Sequence, residues 1–263
     1  MSAQPEHEGE PAIRPVGSTG GPEMTLLDHL RELRNRVVIS AIALLIGTLV
    51  SFLFWETLIG WLLAPAREAD PNFKLNIFSP TESIGVIFKV GMYGGLIIAS
   101  PVFIYELFAF TVPGLTPRER KMIFPGLVGT VIFLLAGMAF AYWVILPASL
   151  SFLLDLGNDQ FETRIGVNQY ISFATRIIFG VGIAFEMPMV LGLAARLGLV
   201  RAGQLLHFWR YAIVVIFVIA AVITPTPDPF NQALVGGPLL GLYLLGVGFA
   251  KIVQKPRPTP EAV

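Results

Sequence analysis

Thr25-Leu26-Leu27-Asp28-His29-Leu30-Arg31-Glu32-Leu33-Arg34-Asn35-Arg36 runs without a break into an apolar stretch from Val37 to about Trp61. Thr25 followed by Asp28 has the form of a capping box and predicts a helix start. Leu26, Leu30, Leu33 and Val37 recur at spacings of four, three and four, which is one apolar stripe on a helix. Charged residues occupy the other faces up to Arg36, after which the chain is apolar all round. Such a segment lies along a membrane surface and then enters it. Glu32 is an acid among arginines at that edge. Read locally, it pairs with Arg36 at i,i+4.

The rest of the chain agrees with a membrane protein. Of its 263 residues, 54% are hydrophobic and 14% charged, against about 25% charged in soluble domains. Mean hydropathy is +0.71. With no cysteine, disulfides and thiol chemistry are excluded. Residues 1–23 are rich in Glu, Pro, Gly and Ser, lack an apolar signal-peptide core, and read as a disordered cytoplasmic tail. Residues 254–263 read the same way. Residues 24–253 form the membrane domain.

Six helices are expected in order. Helix one is Val37 to Trp61, followed by an outside loop from Pro65 to Glu82 with room for a short interfacial helix. Helix two, Ser83–Phe110, would reach roughly 42 Å against a ~30 Å hydrocarbon core, so it tilts, kinks or protrudes. Gly91, Gly94, Gly95 and Pro101 mark it for a kink or a close contact, more in keeping with packing inside the protein than with a dimer face. Lys89 and Glu106 read as snorkelling residues near its two ends. Thr116-Pro117 has the form of a helix start, and helix three runs on from there through Met122–Pro147. A second outside loop spans Ala148–Gln169, and helix four spans Tyr170–Leu197. Helices five (Leu205–Ile223) and six (Gln232–Lys251) are expected to be short. They are separated by Thr224-Pro225-Thr226-Pro227-Asp228-Pro229-Phe230-Asn231, which cannot be helical throughout. The 13 residues Tyr211–Ile223 would reach only about 20 Å, so the bilayer is expected to thin there.

An even number of spans puts both termini on one side. Arg14, Arg31, Arg34, Arg36, Arg118, Arg120, Lys121, Arg196, Arg201, Arg210, Lys251, Lys255 and Arg257 fall on that face. Arg67, Lys74, Lys89, Arg164 and Arg176 are the remaining basic residues. The positive-inside rule makes the terminal face cytoplasmic.

Catalytic motifs are absent: there is no H-E-x-x-H, G-x-S-x-G or Walker A run, and His7, His29 and His207 share no metal-ligand spacing. No enzyme activity, cofactor, metal or nucleic-acid partner is expected. The sharpest single residue is Glu186, since a carboxyl in an apolar helix costs ~2.5–3.5 kcal/mol on insertion scales and is functional by default. Arg176, ten residues away, is about 15 Å off along a straight helix, too far to pair with it. Asp228 reads equally as a turn former and as an outside contact.

Several stretches together carry a resemblance. Asp28-His29-Leu30-Arg31-Glu32-Leu33-Arg34 precedes helix one, and Ala64-Pro65 follows it. Ala99-Ser100-Pro101-Val102 and Ala109-Phe110-Thr111-Val112-Pro113-Gly114-Leu115 come next, then Glu119-Arg120. Gly137-Met138-Ala139-Phe140-Ala141-Tyr142, Gly182-Ile183-Ala184-Phe185-Glu186-Met187-Pro188 and Thr224-Pro225-Thr226-Pro227-Asp228 complete the series. In this order, over Met24 to Lys251, the chain resembles the TatC family, the multispanning receptor subunits of the twin-arginine protein translocase. The resemblance implies an all-α, glove-shaped concave bundle in a bacterial-type cytoplasmic (inner) membrane. It implies binding of twin-arginine signal peptides of folded substrates, assembly with TatA- and TatB-type single-span subunits and other copies of itself, and export driven by the proton-motive force. It assigns Glu32 and Glu119 to reading the two arginines, with Arg34 and Phe110 beside them. Glu186 falls on the concave, partner-facing side, and Pro65 and Asp228 in outside loops. Arg176 matches no position of the pattern. The competing class is a secondary transporter using Glu186 as a proton or cation site.

Overall fold

The computed structural model describes residues 26–69, 74–111, 123–156, 165–224, 226 and 228–254. Thr25, Thr116-Pro117, Glu119 and the expected tails, apart from Gln254, lie outside the described residues.

Helix α1 (Leu26–Leu53) breaks at Phe54, and α2 runs from Trp55 to Ala69. Helix one is therefore two helices, and Pro65 sits inside α2, buried, rather than opening a loop. The break contains neither Pro nor Gly, so nothing in the local sequence announces it. Pro65 has no N–H to give the carbonyl of Trp61 four residues back. The Tyr142 hydroxyl donates to that carbonyl at 2.8 Å, and the Tyr170 hydroxyl donates to the adjacent Leu62 carbonyl. Two side chains from other helices thereby fix α2 against the bundle.

Helix α3 (Glu82–Thr111) absorbs Pro101 in the same way: the Ser100 hydroxyl donates at 2.8 Å to the Ile97 carbonyl that Pro101 leaves unbonded. Gly91, Gly94 and Gly95 pack inside the protein as expected, each against α1. A Cβ on Gly47 would stand 2.7 Å from the Gly95 carbonyl oxygen, and a Cβ on Gly94 2.6 Å from Ser51 Oγ. Gly91 meets the Phe52 ring.

Helix three extends past its expected end. Helix α4 (Ile123–Phe140) passes through a π turn, Ala141–Ile145, into α5 (Leu146–Asp155). The Leu146 amide bonds to the Ala141 carbonyl five residues back. This widened turn admits Pro147 without ending the helix. Helix four starts at Val167 and divides into α6 (Val167–Ala184) and α7 (Met187–Arg196) at Phe185–Glu186. Pro188 explains the division, because it cannot bond the Ala184 carbonyl. A short α8 (Ala202–His207) leads into α9 (Trp209–Ile223), which is short as expected at about 22 Å. The final helix α10 (Pro229–Val253) is not short: its 25 residues make it one of five helices among the described residues long and apolar enough to cross a membrane.

Helix α1 lies on α3, α6 on α3 and α4, and α7 on α10. The centre of the bundle is α6, whose Tyr170, Ile171, Ala174, Ile177 and Val181 are fully or almost fully buried. At the end away from the chain termini, the two connections are tied. The Asn76 amide donates to the Ile165 carbonyl at 2.9 Å, and the Val167 amide to the Asn76 carbonyl at 3.0 Å.

Candidate functional site

The first turns of α1 meet the last turns of α3. The His29 ring stacks on Phe110 with centroids 4.4 Å apart. Two turns further along α1, Arg36 lies between two acids. Its Nη2 and Nε donate to Glu32 Oε1 at 2.6 and 3.1 Å, and its Nη1 donates to Glu106 Oε2 at 2.9 Å. Glu106 is 7% exposed, so it is a buried ion-pair partner and not a snorkelling side chain. The local pairing of Glu32 with Arg36 is real. It leaves Glu32 Oε2 buried with no hydrogen-bond partner among the described residues. Two acids against one arginine leave the cluster one negative charge in excess at its formal charges.

Of the four residues assigned to reading the signal, Glu32 and Phe110 come together here. Arg34 is exposed and donates to its neighbour Asn35 Oδ1 at 3.2 Å. Glu119 lies outside the described residues. Arg36 and Glu106 are the residues that sequence reasoning missed as a bridge. Glu106 stands four residues before Phe110, on the same face of α3, and that spacing is the signal that could have found it.

Glu186 occupies the α6–α7 break. Both carboxylate oxygens are buried, and neither has a hydrogen-bond partner among the described residues. The Thr130 hydroxyl and the Leu134 backbone of α4 are its near polar groups, without reaching hydrogen-bond geometry. Close packing around it follows from Gly137, where a Cβ would stand 2.6 Å from the Phe185 side chain. Arg176 is exposed and makes no ion pair with Glu186. An apolar cavity of about 530 Å³ lies nearby, lined by residues of α2, α3, α4, the π turn and α6, among them Trp61, Tyr93, Ile97, Met138 and Phe179.

Asp228 is the N-cap of α10. Its Oδ1 accepts from the Asn231 amide at 2.7 Å and its Oδ2 from Asn231 Nδ2 at 2.9 Å. This is the turn-former reading, with both oxygens engaged. No group of three or more His, Asp or Glu residues suited to a metal occurs among the described residues.

The family model for TatC, the Sec-independent protein translocase protein, matches residues 28–238. The chain belongs to the TatC family. Its Synechocystis relative, the Sec-independent protein translocase protein TatC, is 37% identical over 233 residues, covering 89% of this chain and 90% of that protein. The Aquifex aeolicus TatC is 39% identical, over 89% of this chain and 98% of its own length. The chloroplast TATC of Arabidopsis thaliana is 39% identical, with 68% of its length matched. A crystal structure of the twin-arginine translocase receptor TatC superposes with a TM-score of 0.77 at 38% identity, covering 86% of this chain and 99% of that one. This TatC-family chain is thus an all-α integral membrane protein and a protein-translocase component, not an enzyme.

Proposed function

We propose that this TatC-family protein is the receptor for twin-arginine signal peptides, reading the paired arginines at the face that carries both chain termini. The observation that supports it best is the Glu32 carboxylate: one oxygen holds Arg36, and the other is buried without a partner among the described residues. A guanidinium is a planar fork that such an oxygen accepts well, whereas lysine offers a point charge. An exposed ion pair contributes only ~0–1 kcal/mol, so two of them cannot hold a signal peptide. The desolvation around Glu32 and Glu106 strengthens the first pair, and the apolar part of the signal enters the concave side of a glove-shaped bundle. Glu119 supplies the second acid, with Arg34 and Phe110 alongside. Arg36, anchored by Glu106, positions Glu32.

In this reading both termini are cytoplasmic. The membrane is the bacterial-type inner membrane. The protein works with TatA- and TatB-type single-span subunits and with other copies of itself, using the proton-motive force without a cofactor. Glu186 accepts a hydrogen bond from a partner's helix, where hydrocarbon leaves few alternatives. The test is photo-crosslinking of a twin-arginine peptide to membranes holding Glu32→Ala or Glu119→Ala protein. Crosslinking is lost in each while the protein still inserts. Wild-type crosslinking in both variants would refute the assignment.

A further inference from the structure

Two cations on the side of the bundle remote from the termini make no ion pair among the described residues, and this surface is independent of the signal-peptide reading. Lys89 on α3 donates from Nζ to Asn168 Oδ1 and to Ser172 Oγ on α6, both at 2.6 Å. Arg176 stands one turn further along α6 from Ser172 and is exposed. Residues four apart on a helix are neighbours, so the two positive charges share one stripe. Among the described residues neither has a carboxylate within ion-pair distance. The nearby acid, Glu82, is committed elsewhere: Oε2 accepts from the Phe78 amide at 2.8 Å and Oε1 from the Asn168 amide at 2.9 Å.

An exposed arginine in a long apolar helix is costly at the centre of a bilayer. The level at which the short α9 ends argues that Arg176 is not at the centre. Its last residue, Ile223, packs on Gly180, where a Cβ would stand 2.7 Å from Ile223 Cγ1. Gly180 is one turn deeper than Arg176. Helix α9 therefore ends just below the guanidinium, and the sequence that follows, Thr224 to Asp228, is polar. Along α6 itself, Arg176 lies about 14 Å in from Val167, deep for a full-thickness bilayer but not beside a helix only about 22 Å long. The hydrocarbon boundary dips here, and the cations stand at its edge.

We infer that Lys89 and Arg176 form a binding site for the phosphate of a phospholipid headgroup, drawn down where α9 ends. Phosphate suits both groups: the guanidinium fork takes two of its oxygens and the ammonium adds a point charge. Basic pockets between transmembrane helices hold anionic headgroups in this way. Asn168 and Ser172 hold the lysine side chain toward α6, so the site is half organised before lipid arrives.

The test is native mass spectrometry of the purified full-length protein in detergent, titrated with phosphatidylglycerol. Wild type retains a bound lipid, and Lys89→Gln with Arg176→Gln lowers its retention about tenfold, as expected for losing charge-assisted contacts. Arg176→Lys alone keeps most of the retention, which separates charge from misfolding. Lys251→Gln, at the other membrane face, changes nothing. Diacylglycerol, which lacks the phosphate, is not retained, and millimolar inorganic phosphate does not displace the lipid. Equal retention by the double variant and wild type would overturn the site. So would equal retention of diacylglycerol, displacement by inorganic phosphate, or loss of a co-purifying membrane partner from the double variant with lipid binding intact.

Discussion

At the residue scale, Asp228 caps α10 with both carboxylate oxygens. Burial pushes its pKa up, but hydrogen bonds from Thr226 and Asn231 outweigh that and hold the carboxyl below its usual range. A depressed folded-state pKa means the stabilisation is complete above the unfolded value and is lost as pH falls through the folded one. We predict that Asp228→Ala lowers stability by about 1 kcal/mol at pH 7, the usual worth of an N-cap. The difference from wild type shrinks as pH is taken below the carboxylate range. Thermal unfolding in detergent at several pH values measures this, and a pH-independent difference would contradict the cap. Glu106 gives the opposite lesson about legibility. Its type and position suggest an exposed end of a span, yet it is buried on Arg36, because α1 crosses α3 at that level. A partner 70 residues away leaves no mark on local periodicity.

At the scale of elements, a proline breaks a helix only where no neighbour takes up the carbonyl it frees, and the α1–α2 break at Phe54 occurs with no proline at all. Pro188 divides α6 from α7, whereas Pro65, Pro101 and Pro147 are accommodated. Tyr142 and Ser100 take up the freed carbonyls at Pro65 and Pro101, and a π turn admits Pro147. The α1–α3 contact rests on the absence of side chains. A Cβ on Gly95 would meet Thr48 Oγ1, and would stand 2.5 Å from the Thr48 amide nitrogen and 2.6 Å from its Cα. Backbone cannot give way as a flexible side chain can. Gly95→Ala is therefore expected to destabilise by about 1–3 kcal/mol, as overpacking does, and to lower the unfolding midpoint of the purified protein. Gly85→Ala, where a Cβ meets nothing within 4 Å, is the matched control. Equal midpoints for the two variants would count against this packing.

At the scale of the whole molecule, the Glu186 carboxylate, without a hydrogen-bond partner among the described residues, sits at a helix break inside the membrane-spanning bundle. Burying such a group without a partner is costly, so something outside this chain is expected to engage it. We predict that Glu186→Ala reduces both the recovery of single-span partner subunits on co-purification and the export of a folded twin-arginine reporter. Glu186→Gln, which keeps hydrogen-bonding capacity, retains more of each. Wild-type recovery together with wild-type export in Glu186→Ala would reject the role. Loss of export with full partner recovery would instead favour a proton-handling acid.

The sequence by itself determined the membrane class, the order of the spans, the short α9 and the family, because hydropathy and motif order are properties of the chain read linearly. It also singled out Glu32 and Glu186, since an acid in apolar surroundings stands out in one dimension. Only the tertiary structure decided that Pro65 lies within a helix, that α10 is long, and that Glu106 backs Arg36 against Glu32. The same holds for Arg176, whose surroundings depend on where α9 ends. Each of these turns on a partner distant in the chain: a tyrosine hydroxyl, a crossing helix, a helix that stops early. The opening segment Leu26–Arg36 shows both sides. Its amphipathic stripe is written in its own residues, but what Glu32 can bind is set by the oxygen that Arg36 leaves open.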